Sequence, residues 1–304
     1  MREAVSQMST TRVLATPAQA YARGCSLVLM AGVWLSAGGL IVRQITVADD
    51  WQIVVYRSSG AAAALLLLLV LRDRSAVLVT FRRAGLPGLV AGLAMAVSMI
   101  TFILAVNATS VANALFLLAV APFLAALLGW LLLRERVSGV TWLAMAGALV
   151  GITIMVWHGI TVGTLFGNAM GLLTALGFAV FTVALRAGRT ADMLPAVCLA
   201  GLISAGVAAA AVTGSGAGFV IPFGEVALCL LYGALIAGAL AIYTIGSRTV
   251  PTAELTLLSL TEVLLGPVWV WLGVGEVPDL MTIVGGAVLL AAIAGLAVHG
   301  MLRR

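Results

Sequence analysis

A chain of 304 residues that is 63% hydrophobic and only 9% charged, with a mean hydropathy of +1.20, has too few polar side chains to cover a soluble domain. The composition therefore predicts an all-α polytopic membrane protein. The net charge of +5 arises from sixteen arginines and no lysine, and their placement between apolar stretches indicates membrane topology rather than a nucleic-acid surface.

The N-terminal residues and the cysteines indicate neither a cleaved leader nor a redox site. Residues 1–23 are polar and lack an apolar core followed by a cleavage site, so we interpret them as a cytoplasmic N-terminal tail. Cys25, Cys198 and Cys229 lie within apolar runs, without the spacing of metal ligands or of a redox pair. We therefore expect buried cysteines and predict no metal or other cofactor.

Charges and turn signals divide the remaining chain into ten apolar stretches. A bilayer core of ~30 Å needs about 20 such residues per helix. The predicted spans are 24–42, 52–71, 85–105, 112–133, 139–157, 167–185, 195–213, 224–244, 252–271 and 281–300. The connections are short, so the sequence leaves no room for a separate soluble domain.

The arginines outside these spans favour one orientation. If the N-terminus is cytoplasmic, every arginine between the spans faces the cytoplasm except Arg43, and Arg57 lies inside the second span. Because positive loops stay on the cytoplasmic side, we predict that both termini are cytoplasmic in a bacterial cytoplasmic (inner) membrane.

The chain also resembles itself. Adding 141 takes Trp130 and Glu135 to Trp271 and Glu276, and adding 143 takes Gly24 to Gly167. Residues 24–160 and 161–304 are then two five-helix repeats. Because five is odd, the second repeat must be inverted relative to the first, and a shared central cavity is expected near mid-depth.

The ninth span carries a carboxylate near its middle. Thr252, Thr256, Ser259, Glu262 and Gly266 fall along one side of a helix. An ionisable side chain inside a bilayer usually faces a bundle interior or a wet cavity, so this side is predicted to line a solute pathway. The alternative is that Glu262 only bonds a neighbouring helix.

The third and eighth spans present matching faces under the 141 shift. Each face has the spacing of one side of a helix. They consist of Ala91, Met95, Ser98 and Phe102 in the third span, and Tyr232, Ile236, Ala239 and Tyr243 in the eighth. Such a mixture suits a pocket for a small, partly apolar solute. Packing between helices is the alternative explanation.

Two further features lie at membrane depth. Arg57 could hold a substrate carboxylate or pair with Asp49 or Asp50, but we expect its long side chain to snorkel outward. Pro122 and the Gly266-Pro267 pair interrupt the fourth and ninth spans and are predicted hinges, with a fixed kink as the alternative.

These faces give a set of predicted substrate-binding residues. Trp34 is included for ring stacking, although a lipid-facing position would explain it equally well. Glu262 could bind a substrate ammonium or a coupling proton. The set is Trp34, Ser98, Phe102, Asn113, Phe178, Tyr243, Ser259 and Glu262.

Two stretches, VANALFLLAVAPFLAALLGWLLLRE at 111–135 and AELTLLSLTEVLLGPVWVWLGVGE at 253–276, share a small-residue start, a proline-bearing middle and a terminal glutamate. In these features the chain resembles the ten-helix branch of the drug/metabolite transporter superfamily, built from two EamA-type repeats, over roughly residues 24–300. The resemblance implies a cavity formed by spans 1, 3, 4, 6, 8 and 9. The chain is most similar to bacterial aromatic and neutral amino-acid exporters. Apart from Arg57, it lacks the intramembrane lysines and arginines with which the related sugar-phosphate carriers hold phosphate.

The expected function is transport of a small neutral or zwitterionic metabolite by alternating access. Efflux of lipophilic or cationic drugs is the alternative. An enzyme is not expected, because His158 and His299 lack catalytic partners in the sequence. The predicted partners are a small-molecule substrate and the lipid bilayer, without nucleic acid. The spacing of Gly147 and Gly151 allows a monomer or a weak homodimer.

Overall fold

The computed structural model describes residues 16–38, 41, 44–109, 111–157, 164–275 and 280–302, and the regular elements in these ranges are helices. In the first half they are α1 (Pro17–Ser36), α2 (Asp50–Asp73), α3 (Val77–Ala108), α4 (Val111–Leu118), α5 (Ala121–Leu133) and α6 (Gly139–Val156). In the second half they are α7 (Leu165–Ala187), α8 (Leu194–Ser215), α9 (Phe223–Gly246), α10 (Thr252–Ser259), α11 (Thr261–Val274) and α12 (Leu280–Leu302).

Within the described ranges, eight stretches are long and apolar enough to cross a membrane. One of them, Asp50–Ala108, contains both α2 and α3, which a short 3-10 turn at Arg74–Ala76 separates. The helix α1 is not among the eight. The helices follow the predicted spans closely in position, and the prediction of ten crossings stays a prediction.

Capping side chains fix the starts of α1 and α2. Thr16 and Gln19 exchange side-chain and backbone hydrogen bonds at 3.0 and 3.3 Å, and Asp49 and Gln52 do the same at 2.8 and 3.0 Å. This reciprocal arrangement satisfies amide groups that a helix start leaves unpaired. It explains why α1 begins at Pro17 rather than at the predicted residue 24.

The predicted fourth and ninth spans are each broken into two helices. The breaks lie at residues 119–120 and at Leu260, and the shift of 141 takes Ala119 to Leu260. Pro122 explains the first break. In a continuous helix its ring would clash with the carbonyl group of Leu118, four residues earlier, and α4 ends at Leu118.

The second break does not lie where the sequence predicted it. Helix α11 continues through Gly266 and Pro267, and the chain departs from a helix at Leu260 instead. Three hydroxyls around Leu260 donate to carbonyls three or four residues earlier: Thr256 at 3.1 Å, Ser259 at 2.7 Å and Thr261 at 2.8 Å. Such bonds compete with the helix ladder and bend it.

The helices pack in pairs that correspond when the two halves are exchanged. Helix α1 packs on α9, and its counterpart α7 packs on α3. Helix α2 packs on α9, and its counterpart α8 packs on α3. The remaining large contacts, α2 with α8 and α6 with α12, join helices that are counterparts of each other. The packing pairs therefore agree with the predicted correspondence between the two halves of the sequence.

Glycines allow α6 and α12 to touch through their backbones. A Cβ atom on Gly151 would lie 2.8 Å from both the Gly285 carbonyl oxygen and the Leu289 amide nitrogen. Of the two glycines whose spacing allowed a homodimer, Gly151 therefore makes a close helix contact within this chain.

A buried carboxylate holds the segment before α2. Glu225, in the first turn of α9, accepts hydrogen bonds from the backbone amides of Thr46 at 2.9 Å, Val47 at 2.9 Å and Ala48 at 2.8 Å. Three charge-assisted bonds of this kind are stronger than bonds between neutral groups. They fix the entry to α2, and hence the position of Arg57 two turns later.

Candidate functional site

A cavity that is partly open to its surroundings lies between the central helices. Its lining comes from the predicted spans 1, 3, 4, 6, 8 and 9, as the family resemblance implies, with the single addition of Arg57 from α2. The lining residues are Leu35, Arg57, Met95, Ser98, Met99, Phe102, Leu118, Ala121, Thr174, Phe178, Tyr232, Ile236, Leu240, Thr256, Ser259, Leu260, Glu262 and Val263.

Most of this wall is apolar, and a second layer of rings supports it. Phe178 lines the cavity, and its ring centroid lies 5.6 Å from that of Tyr243, which is 1% exposed. The Tyr243 ring stacks in turn on Phe181, and its hydroxyl bonds Thr182 at 2.8 Å. Tyr243 therefore lies behind the cavity wall and fixes the position of Phe178.

Hydroxyl groups supply the neutral polar part of the wall. Ser98 donates to the Thr174 carbonyl at 3.0 Å, and Ser259 donates to the Thr256 carbonyl at 2.7 Å. A hydroxyl that donates its proton in this way keeps lone pairs that can accept another hydrogen bond. These groups can therefore accept from a cationic or N–H-bearing part of a ligand.

Arg57 faces the cavity, so the prediction that it snorkels outward is wrong. Its side chain is buried, with 2% of the residue exposed, and Nη2 donates to the Met99 carbonyl at 2.7 Å. The guanidinium carbon lies 5.6 Å from the centroid of the Tyr232 ring. The carbonyl bond and the cation–π contact stabilise the inward position.

Local packing explains why Arg57 turns inward. A Cβ atom on Gly233 would overlap the backbone carbonyl of Arg57, so only glycine lets α9 lie this close to α2. The close approach brings Tyr232, the neighbouring residue of α9, beside the guanidinium. Arg57 Nε has no hydrogen-bond partner among the described residues.

Glu262 lies two residues after the break at Leu260, where it lines the cavity. In the described part of the chain it forms no hydrogen bond or ion pair with a neighbouring helix. Gly32 lets α1 pack against this break, because a Cβ atom there would lie 3.0 Å from the Thr261 side chain and 3.4 Å from the Glu262 amide. Because Glu262 lines the cavity and has no such partner on the described helices, its carboxylate is accessible from the cavity.

The structure brings together five of the eight predicted substrate-binding residues, Ser98, Phe102, Phe178, Ser259 and Glu262. Trp34 lies outside the lining, is 39% exposed, and packs its indole ring against Gly238. Asn113 also lies outside the lining, because its amide donates to Asn168 at 2.6 Å and to Thr109 at 2.9 Å.

Met99 lines the cavity but was not among the predicted binding residues, although its position on the helix indicated it. Met99 follows Met95 by four residues and precedes Phe102 by three, so the three share one helix face. For Arg57 no such signal existed, since its inward position depends on Gly233 and Tyr232 of a distant helix.

Comparison with known proteins agrees with a transport function. Residues 22–157 match the family model of the EamA-like transporter family, which supports the resemblance of the sequence and indicates a membrane transporter of small molecules. None of the proteins of curated function matches the chain. A crystal structure whose description names no function superposes on this chain with a TM-score of 0.75 and 15% sequence identity. The superposition covers 92% of this chain and 98% of the other. That likeness shows a shared fold.

Proposed function

We propose that this chain is an EamA-like carrier that moves a small neutral or zwitterionic metabolite, such as an aromatic or other neutral amino acid, across the cytoplasmic membrane by alternating access. The observation that carries this proposal is the lining of the central cavity. It is largely apolar and aromatic, with a few hydroxyls and one side chain of each charge among the described residues. This combination suits a small solute with an apolar body and a polar end.

The proposal includes ten membrane crossings in two inverted halves. Two observations support it: the helix breaks at Ala119 and Leu260 are 141 residues apart, and the packing pairs correspond when the halves are exchanged. An odd number of crossings in each half would invert the second half. The distribution of arginines supports cytoplasmic positions for both termini.

The moving parts in this proposal are spans 3, 4, 8 and 9. The breaks in spans 4 and 9 adjoin residues that line the cavity, namely Leu118 and Ala121 in one half and Ser259 and Glu262 in the other. A broken helix can bend at its break without distorting either half. Pro122 stays a proposed hinge because it ends α4, and Gly266 and Pro267 stay proposed hinges in α11.

Exchange in proteoliposomes tests the proposal. Vesicles that contain the purified protein and unlabelled phenylalanine or methionine should take up the labelled amino acid faster than empty vesicles. Leu118→Trp places a larger ring at the cavity wall and should abolish most of this exchange. Leu132→Trp is the matched control, because Leu132 is 68% exposed and lies in the same predicted span. Equal rates in protein-containing and empty vesicles across a panel of neutral amino acids would reject the proposal.

Efflux of lipophilic or cationic drugs is a second candidate, favoured by the aromatic wall and by Glu262. The buried Arg57 guanidinium opposes it, because it would repel a cationic drug in the same cavity. Deletion of the gene separates the two functions. Sensitivity limited to toxic amino-acid analogues supports metabolite export, whereas broad sensitivity to cationic dyes supports drug efflux.

A further inference from the structure

We propose that Arg57 and Glu262 recognise the two opposite charges of one substrate. The cavity then binds a zwitterion in preference to molecules that carry only the positive or only the negative charge. Arg57 binds the carboxylate and Glu262 binds the ammonium group. This inference rests on the proposed transport function and names the residues that determine its specificity.

The Arg57 guanidinium is available to an anion. A guanidinium carries five N–H donors, and Nε has no partner among the described residues although the side chain is buried. A buried cation is costly unless it is paired. A carboxylate fits the planar fork of a guanidinium through two parallel hydrogen bonds. A substrate carboxylate would therefore supply the partner that this site lacks.

The Glu262 carboxylate is available to a cation. It shares the cavity lining with Ser259 and Thr256, whose hydroxyls donate to helix carbonyls and retain lone pairs. An ammonium group carries three donors and can bond the carboxylate and a hydroxyl oxygen together. The helix break at Leu260 sets the carboxylate at this position in the wall.

Arg57 and Glu262 do not neutralise each other, since no ion pair joins them in the described structure. The guanidinium carbon of Arg57 lies 5.6 Å from the centroid of the Tyr232 ring, and Arg57, Tyr232 and Glu262 all line the same cavity. One zwitterion can contact both, whereas an amine leaves Arg57 unpaired and an acid leaves Glu262 unpaired. A site that leaves a buried polar group unpaired discriminates strongly against the analogue that causes it.

The rest of the lining indicates the remainder of the substrate. Met95, Met99, Phe102 and Phe178 form an apolar wall around the same cavity. Methionine and aromatic side chains adapt to flat or flexible apolar groups. The substrate class is therefore an α-amino acid with a large apolar side chain.

The test is competition against exchange of labelled phenylalanine in proteoliposomes. Unlabelled phenylalanine carries both charges, phenylalanine amide carries only the ammonium, and N-acetylphenylalanine carries only the carboxylate. For the wild type, each single-charge analogue should compete at least about tenfold more weakly than phenylalanine. Arg57→Gln should remove the disadvantage of the amide, and Glu262→Gln should remove the disadvantage of the N-acetyl compound.

Three further variants separate recognition from folding. Arg57→Lys keeps a cation at the site and should retain the preference for a carboxylate. Arg72→Gln and Asp73→Asn remove charges at the end of α2, outside the cavity, and should leave the competition pattern unchanged.

The outcomes distinguish this inference from the proposed function. Restored competition by the matching analogue in each variant supports the two-charge site. If the wild type exchanges phenylalanine but is inhibited equally by all three compounds, or if both glutamine variants weaken all three by the same factor, the two-charge site is rejected while transport stands. Absence of exchange for every neutral amino acid rejects the proposed function itself.

Discussion

Glu135 accepts a hydrogen bond from Arg186 Nε at 2.8 Å, and the two side chains are 21% and 12% exposed. Its other carboxylate oxygen accepts the backbone amide and the hydroxyl of Thr252, each at 3.0 Å. Glu135, two residues after the end of α5, therefore links the end of α7 to the first residue of α10. Helix α5 belongs to the first half of the chain, and α7 and α10 belong to the second. Each of the three contributes side chains to the cavity wall.

Substitution at Glu135 should destabilise the protein. Glu135→Gln keeps an oxygen for Thr252 but leaves Arg186 without its ionic partner, and we expect a loss of about 1–3 kcal/mol in the free energy of unfolding. The measurement is thermal unfolding of the purified protein, with Arg72→Gln as the control. Arg72 also forms ion pairs but is 40% exposed, so its loss should change the midpoint little.

A double-mutant cycle checks the assignment to this pair. If the ion pair is responsible, Glu135→Gln and Arg186→Gln together should cost less than the sum of the two single variants. Additive effects would show that Glu135 acts through Thr252 rather than through Arg186.

Phe178 and Tyr243 should differ in their effect on exchange, although both were predicted to contact substrate. Phe178 lines the cavity, so Phe178→Ala should weaken competition by phenylalanine by about two- to tenfold through loss of a ring contact. Tyr243 lies behind it, and Tyr243→Phe removes only the hydroxyl that bonds Thr182. Thr182 keeps its bond to the Phe178 carbonyl at 2.9 Å. The half-inhibitory concentration of unlabelled phenylalanine measures both.

A different ranking would contradict this arrangement. If Tyr243→Phe weakens competition as much as Phe178→Ala, the Tyr243 hydroxyl must reach the substrate. The tyrosine would then belong to the cavity wall in another state of the transport cycle.

Hydropathy predicts the positions of the helices well, because the length of an apolar run and the charges at its ends are local properties. The face that a charged side chain presents is not local. Arg57 could be placed inside the second span but not oriented, since its inward position depends on Gly233, Tyr232 and Met99 of two other helices. The same limit explains Asn113, whose partner Asn168 lies in the other half of the chain.

The position of the break at Leu260 was also difficult to predict from the sequence. Proline is the strongest signal for a broken helix, and at Pro122 it marks a break one turn earlier. In the ninth span the break follows the hydroxyls of Thr256, Ser259 and Thr261 instead, each of which has a weak local effect. The helix therefore breaks where three hydroxyl groups bond its carbonyls within six residues, and it continues through Pro267.

Gly233 should be necessary for the position of Arg57. A methyl group at this position would overlap the Arg57 carbonyl, so Gly233→Ala must push α9 away from α2. We expect a lower unfolding midpoint and loss of most phenylalanine exchange. Gly224→Ala is the control on the same helix, because nothing lies within 4 Å of its added methyl group. Equal effects of the two variants on stability and exchange would contradict the proposed spacing of α2 and α9.

Gly151 and Gly147, one turn apart on α6, should respond differently to alanine. A methyl group on Gly151 would press on the backbone of α12 at 2.8 Å, whereas one on Gly147 would meet only the Ala292 methyl group at an ordinary 3.5 Å. Gly151→Ala should therefore lower the unfolding midpoint, by roughly 2–4 °C for each kcal/mol lost. Gly147→Ala should leave it unchanged or raise it slightly, because alanine favours a helix by up to about 1 kcal/mol. Thermal unfolding in detergent and chemical cross-linking in membranes, measured on the same variants, separate packing within the chain from packing between chains. If Gly151→Ala changes the cross-linked species but not the midpoint, this glycine contact serves a dimer rather than the fold.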